Sequence, residues 1–268
     1  MKDYRVFAAL IAVLMMLSLL FGCGKSEVQT DDSYKKITDK GELVLGFDDN
    51  FPPMGFKDES GNYVGFDIDV AKETCKRLGV DLKLQPINWD EKEKDLNEGR
   101  IDCIWNGLSV NSERQESMNL SEPYMENQLV FVVRKDSACK TTDDLKGKTV
   151  GTQAGSSTES ALASASNIPE IKTELADDNV TLFDMLDTNR IDAVFLDSIV
   201  AYYYIAENNK EYYVLPTVLD NEDFAIGFRK DDRVLRDVVQ KMLHEMKEDG
   251  TLARISTDWF GTDVTIVK

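Results

Sequence analysis

The chain has one histidine, His244, and four cysteines in 268 residues. That scarcity removes whole classes of chemistry. A zinc or other transition-metal site needs several such side chains at short spacing, and neither a second His nor a suitable Cys pair is present. No Ser/His/Asp set can be built around a single His, and there is no Gly-x-Ser-x-Gly and no dinucleotide fingerprint. Gly147-Lys148-Thr149 ends like a phosphate loop, but Thr142 stands where the first glycine belongs and Lys148-Thr149 begin a strand, so the match fails. Carboxylates are plentiful, yet no spacing marks an acid–base pair. Basic residues are in deficit: 31 Lys and Arg against 49 Asp and Glu leave a net charge of −18. Such a field repels nucleic acid and anionic lipid, which are excluded as primary ligands. The sequence predicts no catalytic centre, no metal and no cofactor.

Long apolar runs are also lacking, apart from one at the start. Val6 to Phe21 is apolar except for Ser18, and its 16 residues fall short of the roughly 20 that span a bilayer. Behind Lys2 and Arg5, residues 1–22 read as a secretion signal. Leu20-Phe21-Gly22-Cys23 resembles a bacterial lipobox, although Phe21 is bulkier than that pattern prefers. The resemblance implies acylation of Cys23 and contact with the membrane through that lipid alone. The other reading is an uncleaved anchor with an incidental cysteine. Residues 23–34 read as the lipidated Cys and a flexible tether. Cys75 and Cys103 sit in apolar patterns as buried thiols, and pairing among Cys75, Cys103 and Cys139 stays open. His244 falls in an amphipathic C-terminal pattern as a helix-surface residue.

The full chain has the 42% hydrophobic and 30% charged content of a soluble globular protein. It is long enough for two compact lobes. An internal repeat supports that division. Leu96-Asn97-Glu98-Gly99-Arg100-Ile101-Asp102 matches Leu186-Asp187-Thr188-Asn189-Arg190-Ile191-Asp192, each reading as a helix end, a tight turn and a buried strand. Each copy follows a strand ending in glycine, Leu43 to Gly46 and Lys148 to Gly151. Between them lie helical patterns: Phe66, Val70, Thr74 and Leu78 with Gly79 as a stop, and a capping-box spacing over Ser156 to Glu159. Strands alternating with helices imply parallel sheets, so each half is an α/β lobe. Ligands bind such sheets beyond the carboxyl ends of the strands. That rule selects Phe47 to Phe51, Asn106 to Ser109, Gln153 to Thr158 and Leu196-Asp197, facing one another across a cleft. Gln128 to Val133 and Phe224 to Phe228 read as the crossing strands of a two-strand hinge. The expected boundaries are 35–130 with 224–268 for lobe 1, and 131–223 for lobe 2. In the last stretch, Val234 to Met246 read as one helix ended by Gly250, with Trp259 and Phe260 packing locally beyond it.

From about residue 35 to 263 the chain resembles the solute-binding proteins of polar amino acid ABC importers (family 3 type, lipoprotein form). The resemblance rests on Gly41-Glu42-Leu43-Val44-Leu45-Gly46, Val64-Gly65-Phe66-Asp67-Ile68-Asp69, Arg100-Ile101-Asp102, Ser112-Glu113-Arg114, Ser121-Glu122-Pro123-Tyr124 and Asp258-Trp259-Phe260-Gly261. It implies a two-lobed periplasmic-binding-protein-like α/β fold that closes on a free polar L-amino acid. It also implies a monomer that delivers this ligand to the permease subunits outside the cytoplasm. An enzyme on the same scaffold, dehydratase-like, and the sensor domain of a receptor are the rival readings. The first would need an acid or base aimed at the ligand, the second a further span and an output module.

An amino acid brings a carboxylate and an ammonium, and each needs a partner once water leaves. By the resemblance, Arg114 grips the carboxylate with its planar fork, and Asp197 meets the ammonium. The helix beginning near Ser156 offers Ser157 and Thr158 as a second anion-binding element, while Ser109 and the Gly107 carbonyl complete the head group. Phe51 and Trp89 stand where rings flank the ligand side chain in relatives, and Asp48 where an acid often meets a basic or amide group; Trp105 is a candidate because it ends a repeated strand near the cleft. Asn106, in place of a serine common in relatives, and Gln153 are further polar candidates. Without the resemblance, Arg114 also reads as a surface helix residue, Asp197 as an N-cap, Asp48 as an acidic turn and the rings as core. The set favours Lys, Arg, His or Gln as ligand without choosing among them.

Overall fold

The computed structural model describes residues 31–207 and 211–268. The signal segment, Cys23 and most of the tether lie outside the described residues. Helix α1 (Ser33–Lys40) leads into β1 (Glu42–Phe47), a small antiparallel sheet of β2 (Asn50–Phe51), β3 (Gly55–Lys57) and β4 (Tyr63–Val64), then α2 (Phe66–Leu78) and β5 (Asp81–Pro86). Next come α3 (Lys92–Asn97), β6 (Cys103–Ser109), α4 (Ser112–Ser117), β7 (Met118–Leu120) and the long β8 (Met125–Arg134). The second half runs β9 (Thr149–Gln153), α5 (Ser157–Ser164), β10 (Lys172–Ala176), α6 (Asn179–Asp187), β11 (Ala193–Asp197) and α7 (Ser198–Glu207). Strand β12 (Tyr212–Arg229) returns the chain, and α8 (Arg233–Glu248) and α9 (Thr251–Phe260) close it.

The main sheet follows the order β10-β9-β11-β8-β12-β6-β1-β5, with β7 beside β12. Strand β1 is parallel to β5 and β6, and β9 is parallel to β10 and β11, as βαβ units require. The long strands β8 and β12 pair antiparallel at the centre of the path, where they join the two parallel sets. The fold is therefore α/β and two-lobed.

The repeat has a physical basis that can be read bond by bond. In one lobe the Asp102 N–H donates to Val44 O at 2.7 Å, and its carboxylate accepts from Val44 N at 2.9 Å. In the other, Asp192 does the same to Thr149, at 2.8 Å and 2.9 Å. The preceding turn needs a left-handed residue, which is Gly99 (φ 74°) in one copy and Asn189 (φ 59°) in the other. The isoleucines of the repeat then press on the facing strands. A Cβ at Gly46 would meet Ile101 at 2.4 Å, and one at Gly151 would meet Ile191 at 2.6 Å. Each lobe thus joins its first strand to its repeated strand by the same bolt.

Several expectations are refined. Strand β6 continues to Ser109, so Asn106 to Ser109 lie inside it and not after it. Strand β12 has 18 residues, extending well before Phe224. Gly250 ends α8 in a left-handed conformation, but a second helix, α9, begins at once and carries Trp259 and Phe260. Cys75, Cys103 and Cys139 are buried and unpaired, and burial pushes the Cys75 thiol up to about 12. His244 is half-buried on α8, beside Gln240.

Candidate ligand-binding site

The site is built where the two parallel sets face each other beside the crossing strands. Asn111 caps α4 by accepting from the Arg114 N–H at 2.8 Å, which seats Arg114 in the first turn. Arg114 is 4% exposed, and its guanidinium donates to Ser109 O at 2.8 Å through one nitrogen. Burial lowers the Arg114 guanidinium below its ordinary value; Glu222 first, then Asp197, act against this in part. From the opposite lobe, Ser156 caps α5 and aims Ser157 across the cleft, where its hydroxyl lies 3.1 Å from that of Ser109. The expected capping-box glutamate reaches one residue further back: Glu159 accepts from Gly155 N at 2.8 Å. Thr158 is held inside its own lobe by Thr152, at 2.5 Å, and by Ser156, at 2.6 Å.

Asp197 ends β11 and is almost wholly buried. Burial, then the nearby Glu222, push its carboxyl up to about 7; a hydrogen bond from Asn127 and the Arg114 charge act the other way. The Asn127 Nδ2 donates to Asp197 Oδ1 at 2.6 Å. Asn127 sits on β8 opposite Glu222 on β12, so the two crossing strands contribute directly to the polar cluster. Arg114 and Asp197 each feel the other's charge across the cleft.

Further along the cleft, Asp48 accepts from Gln153 Nε2 at 2.7 Å and from Asn50 N at 2.9 Å. Burial pushes Asp48 up to about 6 against both bonds. Asp49 is turned away into an ion pair with Lys57 at 2.7 Å. Asn106 accepts from Asp48 N at 3.2 Å, and its own buried amide nitrogen makes no hydrogen bond. Phe51 packs against Gly107, whose φ of 58° leaves no room for a Cβ, which would meet the ring at 2.9 Å. The Gly107 N–H is committed to Asp67 at 2.8 Å and to the Tyr124 hydroxyl at 3.2 Å. Trp89 is buried beside Lys92, with the ammonium 5.2 Å from its ring centroid. Trp105 is 0% exposed, inside the main hydrophobic core that also holds Phe47, Phe51 and Phe66.

Three contributors carry no motif. Asn127 and Glu222 lie on strands that the sequence marks only as apolar crossings. Lys92 lies at the start of a charged helix and is nevertheless 5% exposed. It donates to Trp89 O at 3.1 Å and, across the cleft, to Gly155 O at 2.7 Å. Burial first, then the Arg114 charge, pull Lys92 down to about 8. A cavity of about 270 Å³ lies between Lys92, Arg114, Gly155 and Glu159. Among the described residues no cluster of His, Cys, Asp and Glu suits a metal ion.

Two α/β lobes share crossing strands, and a buried cation and a buried acid lie in one polar cluster beside them. The chain belongs to the bacterial extracellular solute-binding proteins, family 3, whose profile matches residues 43–262. It is 31% identical over 254 residues to the L-cystine-binding protein TcyJ of Escherichia coli (strain K12), covering 94% of this chain and 95% of that one. Among solved structures it resembles Tv2483 bound to L-arginine, with a TM-score of 0.85, 31% identity, and coverage of 88% of this chain and 98% of that one. It also resembles an ABC uptake transporter substrate-binding protein from Streptococcus pneumoniae with bound histidine, with a TM-score of 0.82, 36% identity and the same coverages.

Proposed function

We propose that this chain is the extracytoplasmic binding component of an ABC importer for a polar amino acid, basic or glutamine-like. Arg114 receives the ligand carboxylate together with Ser109 and Ser157, and Asp197 receives the ammonium with the Gly107 carbonyl. The observation that carries this reading is the opposition of buried Arg114 and buried Asp197, drawn from different lobes onto one polar cluster. Phe51, Trp89, Asp48, Asn106 and Gln153 line the side-chain end, and an acid with a carboxamide there suits a cationic or amide group. The ligands named for the relatives (cystine, arginine, histidine) are all polar amino acids, in line with this assignment. Lobe 1 comprises 35–130 and 224–268 and lobe 2 comprises 131–223, on the central position of β8 and β12. The protein works as a monomer, without a cofactor, and carries out no chemical step. Residues 1–22 direct export, and a lipid on Cys23 holds the chain at the membrane; Cys23→Ser should release it to the soluble fraction.

The test is a thermal-shift panel of the twenty amino acids plus ornithine and cystine. Ligand binding to the folded state raises Tm by mass action, by about 2.7 kcal/mol of stability at a hundredfold excess over Kd. A clear rise for one or more of arginine, lysine, histidine and glutamine, with the amino acid recovered unchanged, is expected. A panel without any rise, or conversion of the amino acid to a product, overturns the proposal.

A further inference from the structure

Glu222 lies half-buried on β12, in register with Asn127 of β8. Its Oε2 is 2.9 Å from Ser157 Oγ, and Ser157 Oγ is 3.1 Å from Ser109 Oγ. Burial raises the Glu222 carboxyl above its ordinary range, while the hydroxyls of Ser109 and Ser157 and the Arg114 guanidinium act the other way, toward its ionised form. Those three groups are the ones assigned above to the carboxylate of the amino acid. A guanidinium fork flanked by two hydroxyls is a receptor for one carboxylate, and the chain sets its own carboxylate against one of those hydroxyls, Ser157, with Ser109 next to it and the Arg114 charge acting on it. We infer that Glu222 is a built-in occupant of the carboxylate receptor, which the incoming amino acid must displace.

This inference rests on the proposed function and adds a competitor to it. Two carboxylates close together in a buried setting cannot both stay ionised without cost, so occupancy is exclusive. Glu222 also has somewhere to go. A cavity of about 460 Å³, lined by Glu222 with Val110, Asn127, Gln128, Asn221 and Asp223, opens beside it along the crossing strands. Two consequences follow from charge alone. The Arg114 cation is compensated before the ligand arrives, so the ligand gains less by pairing with it. Glu222 also links Ser157 of one lobe to the Ser109–Arg114 side of the other, so its displacement is felt by the strands that form the hinge.

The opposite role is physically distinct, because Glu222 also lies near Asp197 and could serve as a second acceptor for the ammonium. Calorimetric titration separates the two. The probes are L-arginine, L-histidine and whichever panel amino acid raises Tm most, measured on wild type, Glu222→Gln and Glu222→Ala. As a competitor, Glu222 weakens binding, and E222Q should bind roughly 5- to 30-fold tighter. Unchanged or weaker binding by E222Q overturns the inference, the weaker result assigning Glu222 to the ammonium. A second measurement needs no amino acid: a thermal double-mutant cycle of E222A and R114A. The double variant should lose less Tm than the two single losses added together; additive losses overturn the inference. If wild type binds none of the panel, the transport reading fails by itself, while the cycle still decides whether Glu222 holds Arg114.

Discussion

At the scale of single residues, the site works by withholding water from charges that need a partner. Asp197 shows this best, since burial leads the forces that lift its carboxyl to about 7. An acid whose folded value is raised is neutral below that value, so it opposes folding progressively as pH rises from about 4 through 7. An ammonium beside it reverses the balance, because the ligand selects the carboxylate. Binding below pH 7 must therefore release a proton, and affinity should rise toward about tenfold per pH unit between 5 and 7, then level off. Asp48, lifted to about 6, adds to the release near pH 5.5 when the ligand side chain is cationic. Calorimetry at pH 5.5 in buffers of different ionisation enthalpy reads this directly. Heats that do not depend on the buffer would contradict it. Arg114 and Asp197 were legible as candidates because short motifs surround them. Asn127, Lys92 and Glu222 were not, since a polar residue in a crossing strand or an exposed-looking helix carries no signal until the chain is folded around it. Trp105 went the other way: a ring at the end of a repeated strand looks like a cleft wall, and strand packing puts it in the core.

At the scale of elements, the duplicated turn is what makes the lobes alike. Gly99 and Asn189 take the same left-handed corner, and Asp102 and Asp192 make the same pair of bonds to the neighbouring strand. Because Asn189 is the non-glycine at that corner, Asn189→Gly should be neutral or stabilising by up to about 1 kcal/mol. Gly151→Ala sets a Cβ against Ile191 and Leu182, at 2.6 Å and 2.7 Å, and should cost about 1–3 kcal/mol. Urea unfolding of both variants checks the pair; an unchanged midpoint for G151A would show that the strand yields freely. The repeat was readable because it needs particular residues at fixed offsets. The β2–β4 sheet was not, since strands of two or three residues have no periodicity to read, and the full length of β12 was hidden by an irregular, largely exposed first half.

At the scale of the whole molecule, closure is held by a few bonds that span the cleft. Gln153 to Asp48, Asn50 to Asp178 at 3.2 Å, and Lys92 to the Gly155 carbonyl exist only while the lobes meet. Replacing Lys92 by Met keeps the packing on Trp89 but removes the bonds to the Trp89 and Gly155 carbonyls, of which only the second spans the cleft. K92M should therefore weaken ligand binding by about tenfold through the open–closed equilibrium, without lowering the unfolding midpoint of the protein by a comparable amount. On the function proposed above, binding and closure are one event, driven by pairing the two ends of a zwitterion with Arg114 and Asp197. Titration calorimetry of R114A and D197A with the amino acid that wild type binds is the most direct measurement of that claim. Each substitution should cost about 30-fold to several thousand-fold in affinity, because it strands one ligand charge in a dry site. Losses under threefold for both variants would contradict the account.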